Sequence, residues 1–224
     1  KENNVSETAF FIKKEDHFYL RWFTPEIEMD LCGHATLATA YCLRNHLNYK
    51  KDSVKFDSMS GELVVKFNAD YMQMDFPHRK PLKSDLPQNI LDSLSIKPIE
   101  ILKSRDYVLV YDNEDQIKNI KIDKELFDRK NIDPGGVVIT SIGTKSDFVS
   151  RYFVPQCSFF EDPVTGSTHC SLVPYWSEKL NKKKLKSIQL SERGGEMICE
   201  DVLNRVLING KAVTYSEGHV HLKY

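Results

Sequence analysis

Two stretches rich in aromatic and aliphatic residues, ending residues 6–12 and filling residues 18–23, flank the polar Lys13 to His17, a pattern that predicts a β-hairpin. Thr24-Pro25 ends its second strand, because proline has no N–H for the ladder and restricts the residue before it. The period then changes. From Gly33 to about Asn45, the residues Ala35, Leu37, Ala38, Ala40, Tyr41, Cys42 and Leu43 leave almost no polar face, which predicts a fully buried helix. Residues 54–57 and 61–67 predict a second hairpin around Ser58-Met59-Ser60, and residues 71–76 a further strand closed by Pro77. The polar, proline-punctuated residues 78–87 read as a linker, followed by a short helix over 89–94 and a strand over 99–111.

The same order then returns. Residues 137–142 and 147–153 predict strands, and Arg151-Tyr152-Phe153-Val154-Pro155 answers Arg21-Trp22-Phe23-Thr24-Pro25. Glu161-Asp162-Pro163-Val164-Thr165-Gly166 answers Glu28-Met29-Asp30-Leu31-Cys32-Gly33; with Gly166 aligned on Gly33, Glu161 falls on Glu28 and Thr165 on Cys32. Arginine precedes that glycine by 12 residues in the first copy and 15 in the second, a difference a loop absorbs at little cost. A Gly-Glu hairpin follows it after 28 and 29 residues, at Gly61-Glu62 and Gly195-Glu196. A strand–turn–helix–hairpin unit that occurs twice predicts two similar domains rather than a solenoid. They are expected at residues 1–95 and 96–224, with the last strand returning to the first domain. Each is expected to be a curved, mostly antiparallel sheet around a buried central helix, an α+β fold with its site in the cleft between them.

Within the second copy, Pro174 predicts a kink or early break in the helix. Lys182 to Lys186 reads as a solvated basic loop, residues 204–208 and 212–215 as strands, and His219-Val220-His221-Leu222 as the close of the chain.

Composition narrows the classes. With 224 residues, 41% hydrophobic and 28% charged, the chain has material for a packed core. A formal net charge of −1 gives no basic field of the kind that neutralises nucleic-acid phosphates, so nucleic acid is not an expected partner. Cys32, Cys42, Cys157, Cys170 and Cys199 are odd in number and contain no C-x-x-C pair, against a disulfide framework or structural zinc and in favour of a reducing, cytoplasmic setting. No signal peptide opens the chain and no apolar run approaches the roughly 18 residues of a membrane span; Lys1 stands where an initiator methionine would, so the first point is weak.

Two glycine-led helix starts, with their first amides free, are ready sites for a carboxylate or a developing oxyanion. Facing one another, they could clamp one small acid in a partly dry cleft, where such dipoles act more strongly. Glu28, on the turn into the first, is then the candidate acid–base group, with its carboxylate pKa expected to rise by desolvation.

Ser6-Glu7-Thr8-Ala9-Phe10, Arg21-Trp22-Phe23-Thr24-Pro25, Glu28-x-x-Leu31-Cys32-Gly33-His34-Ala35-Thr36 and Asp162-Pro163-Val164-Thr165-Gly166-Ser167 with Pro174-Tyr175-Trp176 together resemble the phenazine biosynthesis (PhzF-like) proteins, of the diaminopimelate epimerase-like fold. The resemblance covers essentially the whole chain. It implies a strand and a Gly-Asn-Pro segment ahead of Ser6 that are absent here. It also implies an isomerase that moves a proton between carbons of a small carboxylate without cofactor or metal, in a homodimer. On it, Glu28 matches the catalytic glutamate, and Asp162 and Ser167 match residues that hold substrate, with Gly33, Gly166 and His34 beside them. Better-known members use a further histidine from the first domain, where this chain is read as Phe56-Asp57-Ser58.

Two other readings compete. One is a two-thiol epimerase with Cys32 as one base, but its counterpart Thr165 offers only a hydroxyl of far higher pKa. The other is a non-catalytic small-molecule binder or scaffold on the same fold. His219 and His221 show no third metal ligand.

Overall fold

The computed structural model describes residues 5–132, 135–156, 160–219 and 221. The first half runs β1 (Thr8–Lys13), β2 (Phe18–Phe23), β3 (Glu28–Met29), α1 (Gly33–Asn45), β4 (Ser53–Ser58), β5 (Gly61–Phe67) and β6 (Met72–Pro77). There follow β7 (Leu82–Lys83), α2 (Gln88–Ser93), β8 (Glu100–Lys103), β9 (Tyr107–Val110), α3 (Glu114–Asn119) and α4 (Lys124–Phe127). The second copy is β10 (Val137–Ile142), β11 (Phe148–Phe153), β12 (Glu161–Asp162), α5 (His169–Leu180), β13 (Lys184–Gln189), β14 (Gly195–Val202) and β15 (Arg205–Gly210).

The repeat read in sequence is a repeat of pairings. β1 is antiparallel to β2, β2 to β3, β4 to β5 and β5 to β6, while β2 runs parallel to β4. In the second copy β10–β11, β11–β12, β13–β14 and β14–β15 are antiparallel and β11–β13 parallel. In each copy the helix is the crossover that a parallel pair needs. The last strands of the two copies, β6 and β15, pair antiparallel from Met72↔Gly210 to Pro77↔Arg205 and join the described strands into one sheet.

The two crossover helices pack on one face of this sheet, in a core that includes Trp22, Phe56, Phe76, Leu172 and Trp176, each 0–4% exposed. Burial of such large side chains is the main favourable term, of order 1.5–3 kcal/mol each. A second cluster, with Ile90, Leu109, Ile117, Phe127, Val137 and Ile139, lies under α2, α3 and α4.

Several expectations are corrected. α1 is not buried all round: His34, Ala38 and Cys42, spaced four apart, form one exposed stripe, and α5 is the more deeply enclosed helix. α5 runs through Pro174 without a break. The Cys170 carbonyl, which a residue-174 N–H would have taken, accepts instead from Arg79 N–H at 2.8 Å. The expected strand over 99–111 is a hairpin, β8 and β9, turned at Ser104-Arg105-Asp106. Lys184 and Lys186 lie on β13 rather than in a loop; Lys184 faces its ladder partner Glu200, and Lys186 pairs diagonally with Glu196 on β14. Residues 212–215 form no strand, and neither do His219 and His221; residues 220 and 222–224 lie outside the described ones. β7 pairs with β8, and Ile90 and Leu94 of the α2 region pack in the second cluster.

Candidate active site

The starts of α1 and α5 meet at two glycines. A Cβ on Gly33 would stand 3.0 Å from Gly166 Cα and 3.5 Å from Ser167 N, so the backbones touch where a side chain would hold them apart. Around this contact lies a cavity of about 30 Å³, room for little more than a water, lined by Glu7, Cys32, Gly33, His34, Asp162, Thr165, Gly166 and Ser167 among others. Apolar Ile27, Met29, Leu31 and Val154 complete one side, and Arg105 with Gly135 and Tyr152 the other.

Glu28 does not line this cavity. On the short strand β3, neighbouring side chains point to opposite faces; Met29 faces the cavity, and Glu28 turns away to Arg21. Arg21 donates from Nε to Oε1 at 2.7 Å and from Nη2 to Oε2 at 2.6 Å. The arginine hydrogen bond holds the carboxylate below its usual range, the opposite of the rise expected for a desolvated acid. In the second copy Arg151 grips Glu161 in the same way, at 2.7 and 2.8 Å. The pair is part of the repeated scaffold.

Among the described residues, Glu7, immediately ahead of β1, is one of the two carboxylates, with Asp162, that line the cavity. Its side chain is 9% exposed, and Oε2 lies 3.1 Å from His34 Nε2 without meeting hydrogen-bond geometry. Burial pushes the carboxylate up, but contacts to His34 and Ser6 outweigh it and leave the pKa lowered. Burial pushes the His34 imidazole down, while Cys32 and Glu7 raise it to about 11. The resting pair is therefore a carboxylate beside an imidazolium. Glu7 stands inside the Ser-Glu-Thr-Ala-Phe motif, which is legible in sequence, whereas nothing local in it marks the acid as facing the cavity.

On the opposite wall, Asp162 Oδ2 accepts from Thr165 Oγ1 at 2.6 Å. Desolvation outweighs that hydrogen bond and raises its pKa. The side chain of Gln189 fixes the turn, accepting from Thr165 N at 2.6 Å and donating to the Asp162 carbonyl at 2.6 Å. Ser167 is 9% exposed on the cavity wall and is not the helix cap, a position taken by Thr168. His169 is fully buried, bonded to the Thr165 carbonyl and Ser187, and burial lowers its pKa to about 4. It is a neutral structural histidine.

Asp57 sits on the β4 surface with its carboxylate 3.0 Å from His17, and does not line the cavity. The imidazole of the site is His34. Cys32, equally 3.8 Å from both His34 ring nitrogens, is a buried thiol whose pKa burial raises. Opposite it Thr165 is already engaged by Asp162 and Gln189, so the site has no pair of thiols. Glu7, Cys32 and His34 offer ligand atoms within 4.8 Å of one another, a spacing that could hold a metal ion.

Residues 1–218 match the profile of the phenazine biosynthesis-like protein family. The chain is 44% identical over 223 residues to an uncharacterized isomerase of Pseudomonas aeruginosa, covering 99% of this chain and 85% of that protein. It superposes with a TM-score of 0.87, at 41% identity, on the crystal structure of a PhzF-family protein of Enterococcus faecalis, covering 99% and 85% of the two chains. A probable proline racemase of Agrobacterium radiobacter, 12% identical, shares the fold with a TM-score of 0.63 over 97% of this chain and 76% of that one. Among the described residues no helix is long and apolar enough to cross a membrane.

Proposed function

Because the chain belongs to the phenazine biosynthesis-like family and has its α+β, diaminopimelate epimerase-like fold, we propose that it is a cofactor-independent isomerase that moves a proton between two carbons of a small carboxylate, with Glu7 as its single acid–base group. The observation that carries this reading is Glu7 itself, a carboxylate 9% exposed, 3.1 Å from the His34 imidazole, in a cavity shared by two helix starts.

Glu7 begins as the base. It takes a proton from an activated C–H of the substrate, the electron pair passes into the adjoining π system, and the resulting carboxylic acid returns a proton to a different carbon. The double bond shifts, Glu7 is regenerated, and no electron leaves the substrate, so no redox cofactor is required. His34 keeps Glu7 ionised at rest. The α1 start at Gly33 and the turn from Gly166 into α5 favour the substrate's negative charge, and Ser167 and Asp162 supply polar contacts on the second wall.

Solvent-deuterium incorporation tests the proposal. A panel of unsaturated and α-branched small carboxylates is incubated with the protein in D2O and followed by proton NMR. Exchange at a C–H of at least one member, lost in Glu7→Gln, supports the reading. No exchange anywhere in the panel favours a binding protein on the same fold.

A further inference from the structure

Arg105 stands in the β8–β9 turn with its side chain 7% exposed, on the wall of the same cavity as Glu7. Its guanidinium is held on two sides. Nε donates to Asp30 Oδ1 at 2.7 Å, and Nη1 donates to Asp106 Oδ1 at 3.2 Å. These anchors are themselves fixed. Asp30 Oδ2 accepts from Arg79, at 3.3 Å from each terminal nitrogen. Asp106 Oδ1 accepts from Gly136 N and from Tyr152 Oη, each at 2.9 Å. The remaining nitrogen, Nη2, is buried and has no hydrogen-bond partner among the described residues.

A buried cationic donor without an acceptor is a costly feature unless something in the cavity supplies one. Its place identifies the acceptor. Asp30 lies three residues ahead of Gly33, and Ser104, next to Arg105, shares a 2.6 Å hydrogen bond between hydroxyls with Ser171 in the first turn of α5. The guanidinium is thus tied to both helix starts. Arg79 and Arg105 are balanced by Asp30 and Asp106, and His34 by Glu7; the fourth carboxylate, Asp162, is buried on the cavity wall, where desolvation favours its neutral form. The helix starts and Nη2 are therefore the donors that an arriving anion finds unengaged. Gly135 keeps this wall low, since a Cβ there would fall 2.4 Å from the Arg105 carbonyl.

We propose that Arg105 is the carboxylate anchor of the site, with Nη2 donating to one substrate carboxylate oxygen while the amides of the two helix starts hold the other. The inference rests on the carboxylate substrate of the isomerase reading, and it makes Arg105 a specificity-determining residue that sequence motifs do not single out. Asp30 and Asp106 act through it as positioning residues.

Binding, not turnover, tests this. Acetate, succinate and benzoate, each paired with its neutral amide, are titrated calorimetrically into the full chain, Arg105→Met and Arg105→Lys. The expected result is that the protein binds at least one carboxylate, that both variants lose about tenfold or more of that affinity, and that the matching amide binds all three proteins alike. Arg105→Lys keeps a cation between Asp30 and Asp106 and decides the matter if Arg105→Met fails to fold. Carboxylate affinity unchanged in the folded variants, equal losses for acid and amide, or no carboxylate bound at tens of millimolar would each overturn the assignment. Arg105-dependent carboxylate binding without deuterium exchange would overturn the isomerase reading and leave the anchor standing.

Discussion

Arg21 holds Glu28 through two hydrogen bonds of 2.7 and 2.6 Å, and this pair is the twin of Arg151 and Glu161 in the second half of the chain. A carboxylate with both oxygens gripped by arginine, outside the cavity, is badly placed to take a proton from a substrate bound there. Glu28→Gln should therefore keep deuterium exchange within a few-fold of the parent, with a slight loss of thermal stability. Glu7→Gln should lower exchange by about two to four orders of magnitude, the usual scale of a general acid–base group. Parallel NMR exchange rates on the two variants decide between the carboxylates; retained exchange in Glu7→Gln would return the role to another group.

His34 sets the state of Glu7. Without the imidazolium, burial, the largest influence on Glu7, acts unopposed except by Ser6 and raises its pKa. His34→Gln should move the acid limb of the exchange–pH profile upward, since Glu7 would then be protonated nearer neutrality. The stability signs follow. Glu7, depressed in the fold, contributes stability above its ordinary pKa of 4.5 that is lost as pH falls through its folded value. His34, raised, contributes stability that is complete below 6.5 and lost as pH rises toward about 11. An acid limb in the same place for His34→Gln and the parent would separate the two groups.

The glycine contact between the helix starts is a packing requirement. A Cβ at Gly33 meets backbone, Gly166 Cα at 3.0 Å, which cannot swing aside as a side chain can. Gly33→Ala should cost about 1–3 kcal/mol, the range for overpacking a close contact, read as a lower urea midpoint. Carboxylate affinity should fall with it, because the two sets of helix amides are pushed apart. A Gly33→Ala protein as stable as the parent would mean that the two halves yield easily at this point.

The repeat explains both what the sequence disclosed and what it hid. Gly33 and Gly166, the strand pairs before them and the hairpins after them recur at nearly equal spacing, so the duplicated fold and the meeting of two helix starts could be read from spacing alone. Glu28 stands out in the sequence because it lies five residues ahead of a motif glycine. Yet a residue that recurs with its partner, as Glu28 and Arg21 recur in Glu161 and Arg151, belongs to the shared scaffold. The group that does chemistry in one half should be unmatched. Glu7 meets that condition: it precedes β1, whose Thr8 pairs with Phe23, and the residue preceding β10, whose Val137 pairs with Phe153, is Gly136. The split of residues 99–111 into β8 and β9 was not legible for a different reason. Ser104-Arg105-Asp106 interrupts an apolar run, and what makes it a turn is the distant set of partners Asp30, Gly136 and Tyr152.

Asp162 differs from Glu7 in the sign of its shift, and that difference can be measured. Its side chain is buried, the Thr165 hydroxyl is its one strong support, and desolvation prevails to raise its pKa above 3.8. A carboxyl group raised in the fold contributes stability that is complete below its unfolded pKa and is lost as pH rises through its folded value. At neutral pH the ionised form is thus a burden on the fold. Asp162→Asn keeps the shape, still accepts from Thr165 and removes the charge, so it should melt at the parent's temperature or above at neutral pH. At a pH below 3.8 that advantage should vanish. The same substitution should weaken ligand binding wherever Asp162 meets a donor on the substrate. Melting curves at the two pH values check the first part and titration with the carboxylate panel the second; an Asp162→Asn protein less stable than the parent at neutral pH would show that the ionised carboxylate is better solvated in the cavity than its burial implies.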